Sequence, residues 1–451
     1  MIIVIIPIVL LLAIILIKKI PFIGGNIQAA LVITGVAALL LGGVFNPLDW
    51  FLAWIDGLDR LAWIIALAAF GSVYAETQLQ MGTMNTVINV LRSIFGRSPR
   101  GLIICIVLAL TIAGSLLGDA IAASTVIGVL IINSLVEMKM KPEQIACTIV
   151  MGASLGSIMP PITQSVFLSS TLVGLPSPDP VARISYITVG IGVIICSIYV
   201  ALSFIKIKSL PEDLIPRESA GRILRRDWKT LIPLMVLFIL VVLRTGFQID
   251  VATILFGPAL RTLGQIKILK GVANLIVVNI IMATIVAFFF PLVFKKSGAV
   301  FKTALKNVIP GCSIQLAAAV MLGAFYRAGQ IETVREFAST LNTNIMKVGG
   351  SLAILLIGML TGSQSTAQNT IFSFFGPALM KIGVTDVNAA VAGAHLAMSG
   401  QGLPPADLTT FVVCGLVGGV LYKKVDPIKA MLLNLPMCLY FAAVGFFFLY
   451  V

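Results

Sequence analysis

Apolar residues dominate this chain in long runs separated by short polar stretches, and the runs approach the length of membrane-crossing helices. Ile2–Ile17, Ile27–Val44, Ile184–Phe204, Leu231–Leu243, Val272–Val293 and Met431–Val451 hold few or no charges. A helix crosses a bilayer with about 20 apolar residues, so the shorter runs reach across only with their flanks. The pattern predicts an all-α polytopic membrane protein. One polar segment divides it: residues 206–229 (KIKSLPEDLIPRESAGRILRRDWK) carry seven basic and four acidic residues.

Within this pattern one segment recurs. Gly114 to Pro161 aligns without a gap on Gly358 to Pro405, 244 residues later, with Gly118/Gly362, Ala123/Ala367, Gly156/Gly400 and both prolines in register. Either copy reads as a Gly-interrupted apolar stretch, a polar tip, an apolar return and a helix broken by Gly-x-x-x-Pro-Pro. Paired interrupted segments in two halves of a membrane protein point to the binding site of a secondary transporter. The predicted organisation is two inverted repeats, each with a re-entrant hairpin and a Pro-Pro-broken helix. The first, 1–205, holds scaffold helices in 1–75, a re-entrant hairpin at 101–136 with its tip near Leu116 to Ser124, and a broken helix at 143–174. A linker follows at 206–229. The second repeat, 230–451, holds a hairpin at about 350–380 and a broken helix at 386–422. The first 17 residues lack a basic leader and a small-residue cleavage site, and read as the first transmembrane helix.

Charge placement sets the orientation. Basic residues cluster between apolar runs and mark the cytoplasmic side, which puts the linker, Lys18-Lys19, Arg92, Arg97, Arg100 and Lys423-Lys424 inside. Lys295, Lys296, Lys302 and Lys306 fall outside in this scheme. Either the boundaries near 250–293 differ or these lysines ride on an interfacial arm helix.

Composition narrows the class. The chain is 59% hydrophobic and 11% charged, against about 25% charge in soluble domains, which excludes an aqueous fold. The net charge of +13 lies in loops, not in a nucleic-acid-binding stripe. Six cysteines stand singly in apolar segments with no metal-ligand spacing. No phosphate-binding loop, HExxH or G-x-S-x-G elbow occurs. Leu116-Leu117-Gly118-Asp119 lacks the Gly-x-Gly-Asp of aspartyl intramembrane proteases. The chain reads as a carrier and not an enzyme. A channel stays open as a remote alternative, separable by saturable, gradient-driven uptake.

The repeat also carries chemistry. Hydrocarbon tolerates broken helices only where they are buried or line a cavity. Each Pro-Pro frees backbone carbonyls, which suit a small hard cation, and each half-helix that starts at a tip aims N–H groups that suit an anion. The cation-binding candidates are Gly118, Asp119, Ser124 and Thr125 at the first tip, and Gly362, Ser363, Ser365, Thr366 and Asn369 at the second. The substrate-binding candidates are Pro160, Pro161, Thr163, Gln164, Gln364, Pro404, Pro405 and Asp407. The same polar residues also suit plain helix capping. Asp119 and Asp407 are the acids placed deepest, and intramembrane acids are functional by default. They read as cation ligands, proton carriers or caps. His395, the only histidine, reads as a proton relay or a hydrogen-bonded core residue. Na⁺ is the only metal expected and no cofactor is; Na⁺ and H⁺ coupling both stay open. No Arg or Lys lies in either tip or Pro-Pro segment, so an anion would rest on N–H groups and hydroxyls, and a neutral or zwitterionic solute stays open.

Gly118-Asp119-Ala120, Ala122-Ala123-Ser124, the run Gly152 to Pro161, Gly376-Pro377-Ala378-Leu379, Gly383-Val384 and Gly400-Gln401-Gly402-Leu403-Pro404-Pro405 carry a resemblance. The repeat resembles that of the ion transporter superfamily. Within it the chain is most similar to the large permease subunit of tripartite ATP-independent periplasmic (TRAP) transporters. The resemblance implies an elevator mechanism in the inner membrane. It further implies symport of Na⁺ with a small organic carboxylate, an extracytoplasmic solute-binding protein and a small membrane subunit. Two features depart from the family. Ile162-Thr163 follow Pro160-Pro161 where the family tends to have Ser, and Leu116-Leu117 intrude in a tip that is usually Ser-rich. A stand-alone superfamily carrier, Na⁺- or H⁺-coupled and without a binding protein, is the other reading.

Overall fold

A computed structural model describes the chain except Met1, Lys18, Glu212, Asp213, Arg217, Gln248, Val334, Arg335 and residues 337–341. Lys18 of the Lys18-Lys19 pair and three residues of the linker therefore lie outside the described residues. Among the described residues all regular structure is helical. Pro99–Leu117, Asp179–Ser203 and Thr343–Thr361 are each long and apolar enough to cross a membrane.

The helices pack in two groups. One is built on Pro47–Met81, a helix of 35 residues. Ser297–Arg327 and Leu275–Phe288 pack along it, Ile27–Leu41 packs on Ser297–Arg327, and Ile232–Phe247 packs on Leu275–Phe288. The axes of Pro47–Met81 and Ser297–Arg327 come close because small residues meet there. A Cβ on Gly57 would strike the Ala319 carbonyl, and one on Gly323 would strike the Ala53 carbonyl. Close approach through small residues supplies the dispersion contact that holds helices together where water does not drive them. Asp56 and Asp59 pair with Lys267 and Lys270 at 2.9 and 2.6 Å, and Arg327 pairs with Asp49, all within this group. Those acids and Arg60 charge the first half of Pro47–Met81 and confine its long uncharged stretch to 61–75.

The second group holds both copies of the repeated segment, with Asp179–Ser203 and Leu435–Tyr450. The first hairpin is Pro99–Leu117 and Ala120–Glu137, followed by the helix halves Pro142–Ile158 and Gln164–Leu172. The second hairpin is Thr343–Thr361 and Gln364–Lys381, the latter passing through a π-turn at Gln368–Phe372. The halves Asp386–Gly402 and Leu408–Leu421 follow. In each copy the entering arm packs on the first half of the broken helix through a glycine pair. A Cβ on Gly114 would lie 2.8 Å from Gly156 Cα, and one on Gly358 would lie 2.9 Å from Gly400 Cα. These are equivalent positions, so the repeat preserves a backbone-to-backbone contact.

Two apolar runs are shorter in structure than in sequence. Met431–Val451 breaks at Asn434 with a bend of 51°, because Pro436 has no N–H for the preceding turn. Val272–Val293 keeps its helix over Leu275–Phe288. Lys295 and Lys296 then lie at a turn, and Lys302 and Lys306 lie on Ser297–Ile309, a largely exposed segment bent 43° from Cys312–Arg327.

Candidate functional site

Each hairpin turns on a glycine in the left-handed region: Gly118 at φ 67° and Gly362 at φ 63°. The next residue caps the returning helix. Asp119 accepts from Ala122 N at 2.7 Å, and Ser363 accepts from Thr366 N at 3.3 Å and from Thr366 Oγ1 at 3.0 Å. The broken helices follow the same plan. After Pro160-Pro161 the Thr163 hydroxyl accepts from Val166 N at 3.4 Å. After Pro404-Pro405 the Asp407 carboxylate accepts from Thr409 N at 3.0 Å, Thr410 N at 3.3 Å and the Thr410 hydroxyl. The four caps are equivalent in pairs, Asp119 with Ser363 and Thr163 with Asp407. All four make a cap hydrogen bond, and these satisfy orphan N–H groups at each half-helix start.

Each tip is seated on its own break. In the first copy Ile162 N donates to Ser115 O at 3.1 Å, and the Ser115 hydroxyl donates to Pro160 O at 2.7 Å. In the second, Gln364 N donates to Gln401 Oε1 at 3.0 Å. The second tip also reaches outward. Gln368 Nε2 donates to Ser165 O and Ser169 Oγ, both at 2.7 Å, on the far half of the first broken helix. Asn369 Nδ2 donates to Gln315 Oε1 at 3.3 Å, on the long helix of the other group.

The candidates divide between surroundings. Gly118, Asp119, Thr125 and Gln164 line one open cleft of about 380 Å³, walled across by Ser72, Glu76 and Asn307. Pro160 and Pro161 line a smaller pocket with Tyr186, Asn279 and Arg244. Gly362, Thr366, Asn369 and Asp407 are buried, Ser363, Gln364, Ser365 and Pro404 are half-buried, and Pro405 is exposed. The Ser124 and Thr125 hydroxyls donate back to Ile121 O and Ala122 O, both at 2.9 Å. His395 is fully buried, with Nε2 2.8 Å from Thr188 Oγ1 and Nδ1 2.8 Å from Val391 O, so both ring nitrogens have partners.

Three contributors escape the sequence pattern. Glu76 lies inside Pro47–Met81, 6% exposed, and takes a hydrogen bond from Gln80 Nε2 at 2.9 Å. An acid in the interior of an apolar helix is a signal, and it could have found Glu76. Arg244 pairs with Asp179 at 2.9 Å beside Pro160-Pro161; it is distant from both tips in sequence, and only the fold brings it there. The third is Gln368, whose Oε1 is a buried acceptor without a donor, as is that of Gln364, already a substrate-binding candidate. Unpartnered acceptors at a half-helix start are suited to a cation, which satisfies oxygens and needs no N–H.

Among solved structures the fold is similar to the crystal structure of the YdaH transporter of Alcanivorax borkumensis. The TM-score is 0.58 and the identity 13%, over 88% of this chain and 86% of that one. At that identity the likeness is one of fold. No curated protein sequence matches the chain. The family of the DctM component of tripartite ATP-independent periplasmic transporters matches residues 8–451, and the chain belongs to that family of multi-pass large permease subunits.

Proposed function

We propose that this permease couples Na⁺ to the uptake of a small organic carboxylate across the cytoplasmic membrane. It would work with an extracytoplasmic solute-binding protein and a small membrane subunit, the partners that a tripartite system implies. Its two hairpins and two broken helices move as one body against the group built on Pro47–Met81. The observation that carries the cation half is that two oxygens of the second tip, Gln364 Oε1 next in sequence to the Ser363 cap and Gln368 Oε1 one turn on, are buried and have no donor. Ser365, Thr366 and Asn369 complete an oxygen-rich turn around them. Gly118, Asp119, Ser124 and Thr125 form the matching turn in the first copy. The carboxylate would meet helix-start N–H groups and the side chains of Thr163, Gln164 and Gln364 near the two Pro-Pro breaks. The bound cations offset the carboxylates of Asp119 and Glu76 in the cleft.

The test is the melting temperature of the purified chain in NaCl against choline chloride at equal ionic strength. A ligand that binds only the folded state adds RT ln(1 + [L]/Kd), about 2.7 kcal/mol at a hundredfold excess over Kd. A Na⁺-specific rise, reduced in Asn369→Ala and in Ser124→Ala, is the expected result. Equal melting in both salts would sink Na⁺ coupling and turn the reading to H⁺.

A further inference from the structure

A second cavity, of about 150 Å³, lies away from both breaks, between the helix Thr83–Phe95 and the base of the first hairpin. Its lining is two-sided. Asn85, Asn89 and Arg92 are spaced to share one stripe of their helix, and Ser134 faces them from the returning hairpin arm. The remaining wall is aliphatic: Ile88, Leu102, Ile106, Leu130 and Ile131. Leu130 is 52% exposed, so the aliphatic side opens outward to where acyl chains lie.

The polar end is cationic and stays so. Arg92 Nη2 donates to Leu214 O at 3.3 Å, which uses one of the five guanidinium donors. Exposed Arg97 and Arg100 follow in sequence. The linker helix Ala220–Asp227, with Arg222, Arg225 and Arg226, packs on the same Thr83–Phe95 helix. The Ser93 hydroxyl ties it there by donating to Glu218 O at 2.8 Å. The nearby acids Glu218 and Asp227 are engaged by Arg226 at 3.1 and 3.0 Å.

We propose that this cavity binds one anionic phospholipid, its phosphate on Arg92, Asn85, Asn89 and Ser134 and an acyl chain along Ile106 and Leu130. A free anion would use the polar end and leave the aliphatic wall without a role. A zwitterionic lipid would use the wall and bring an ammonium to a cluster of arginines. The anionic lipid satisfies both ends. It sits between a helix that adjoins the first group and the hairpin of the second, at the depth where the apolar hairpin arms begin and end.

The experiment is native mass spectrometry and thermal melting of the delipidated full chain, titrated with phosphatidylglycerol, phosphatidylcholine or inorganic phosphate. Phosphatidylglycerol should bind and raise the melting temperature, while the other two should not. Arg92→Gln should weaken that binding about tenfold, the effect of losing a charge-assisted hydrogen bond. Arg92→Lys should retain most of it, and the pair Lys302→Gln/Lys306→Gln, exposed on Ser297–Ile309, should leave it unchanged. If Arg92→Gln does not fold, Asn89→Leu keeps the guanidinium and should still weaken binding several-fold; unchanged binding in the variant measured would overturn the proposal. An equal shift with inorganic phosphate would make this a free-anion site, and an equal shift with phosphatidylcholine would make it an apolar crevice. Either result refutes the assignment.

Discussion

Alanine at the two hairpin glycines should not cost the same, although Gly118 and Gly362 are equivalent in the repeat. Both hold positive φ, so a Cβ costs about 1–2 kcal/mol in either place. The surroundings then differ. At Gly118 the new Cβ would meet Ile162 Cγ2 at 2.9 Å and the Ile162 carbonyl oxygen at 3.2 Å, so the nearest atom is a side-chain methyl and the nearest backbone atom lies farther off. At Gly362 it would meet the Ala406 carbonyl, and Leu408 N at 2.9 Å, which is backbone of the second break. Relief there requires the half-helix Leu408–Leu421 to shift, and forced overpacking adds about 1–3 kcal/mol. Gly174, at φ 80° with nothing within 4 Å of the added Cβ, isolates the conformational cost. The expected losses are about 1–2 kcal/mol for Gly174→Ala, slightly more for Gly118→Ala, and about 2–5 kcal/mol for Gly362→Ala. For a chain of 451 residues the melting temperature falls about 1 °C per kcal/mol. Differential scanning fluorimetry of the three variants in one detergent resolves that spread. If Gly118→Ala melts at or below Gly362→Ala, the seating of the second tip on the backbone of its break is wrong.

Asp407→Asn keeps one capping oxygen for Thr409 N but turns an amide group toward Thr410 N, so it should lose about 1–2 kcal/mol of stability and still insert into the membrane, while coupled uptake by reconstituted protein falls. Asp407→Ala should lose about a further 1 kcal/mol because Thr409 N then loses its acceptor as well. Unchanged uptake in Asp407→Asn would reduce the residue to a cap. His395→Gln should lower melting through the lost contacts to Thr188 and Val391, yet leave the pH profile of uptake as it is in wild type. A flattened profile would make His395 a proton relay.

The membrane class and the all-helical fold were legible because bulk hydrophobicity and the ungapped repeat are long-range signals that no local ambiguity erases. The tip residues were legible for a narrower reason. Glycine at positive φ followed by Asp or Ser leaves a local signature, and so does Thr or Asp two residues after Pro-Pro. Each cap hydrogen bond spans only two or three residues. What failed to show was tertiary. Arg244 reaches Pro160-Pro161 from another helix, and Gln368 reaches Ser165 and Ser169 across 203 and 199 positions of sequence. Of Pro47–Met81 only 61–75 reads as apolar, because Asp49, Asp56, Asp59 and Arg60 charge its first half, and the acids' partners Arg327, Lys267 and Lys270 are remote in sequence. The break at Asn434 was missed because an apolar run carries no mark of direction, even where Pro436 limits the helix.

The two copies agree in backbone and disagree in charge, and the disagreement is reciprocal. Both tips turn on glycine, both entering arms touch the broken helix through a glycine pair, and both broken helices restart on a cap two residues past Pro-Pro. Yet the carboxylate stands at the tip in the first copy, as Asp119, and at the break in the second, as Asp407, with Ser363 and Thr163 in the opposite places. Each copy therefore holds one acid among its two caps. The placement sets two different environments. Asp119 accepts from Ala122 N at its cap and faces an open cleft, whereas Asp407 is 1% exposed and accepts from two backbone N–H groups and a hydroxyl. A buried carboxylate with that many donors is held in place, while one at the cleft has oxygens to offer. The second tip, lacking an acid, presents instead the neutral oxygens of Gln364 and Gln368. Under the proposed function the first tip would offer a charged oxygen and the second only uncharged ones, so two cation sites built on them would differ in affinity.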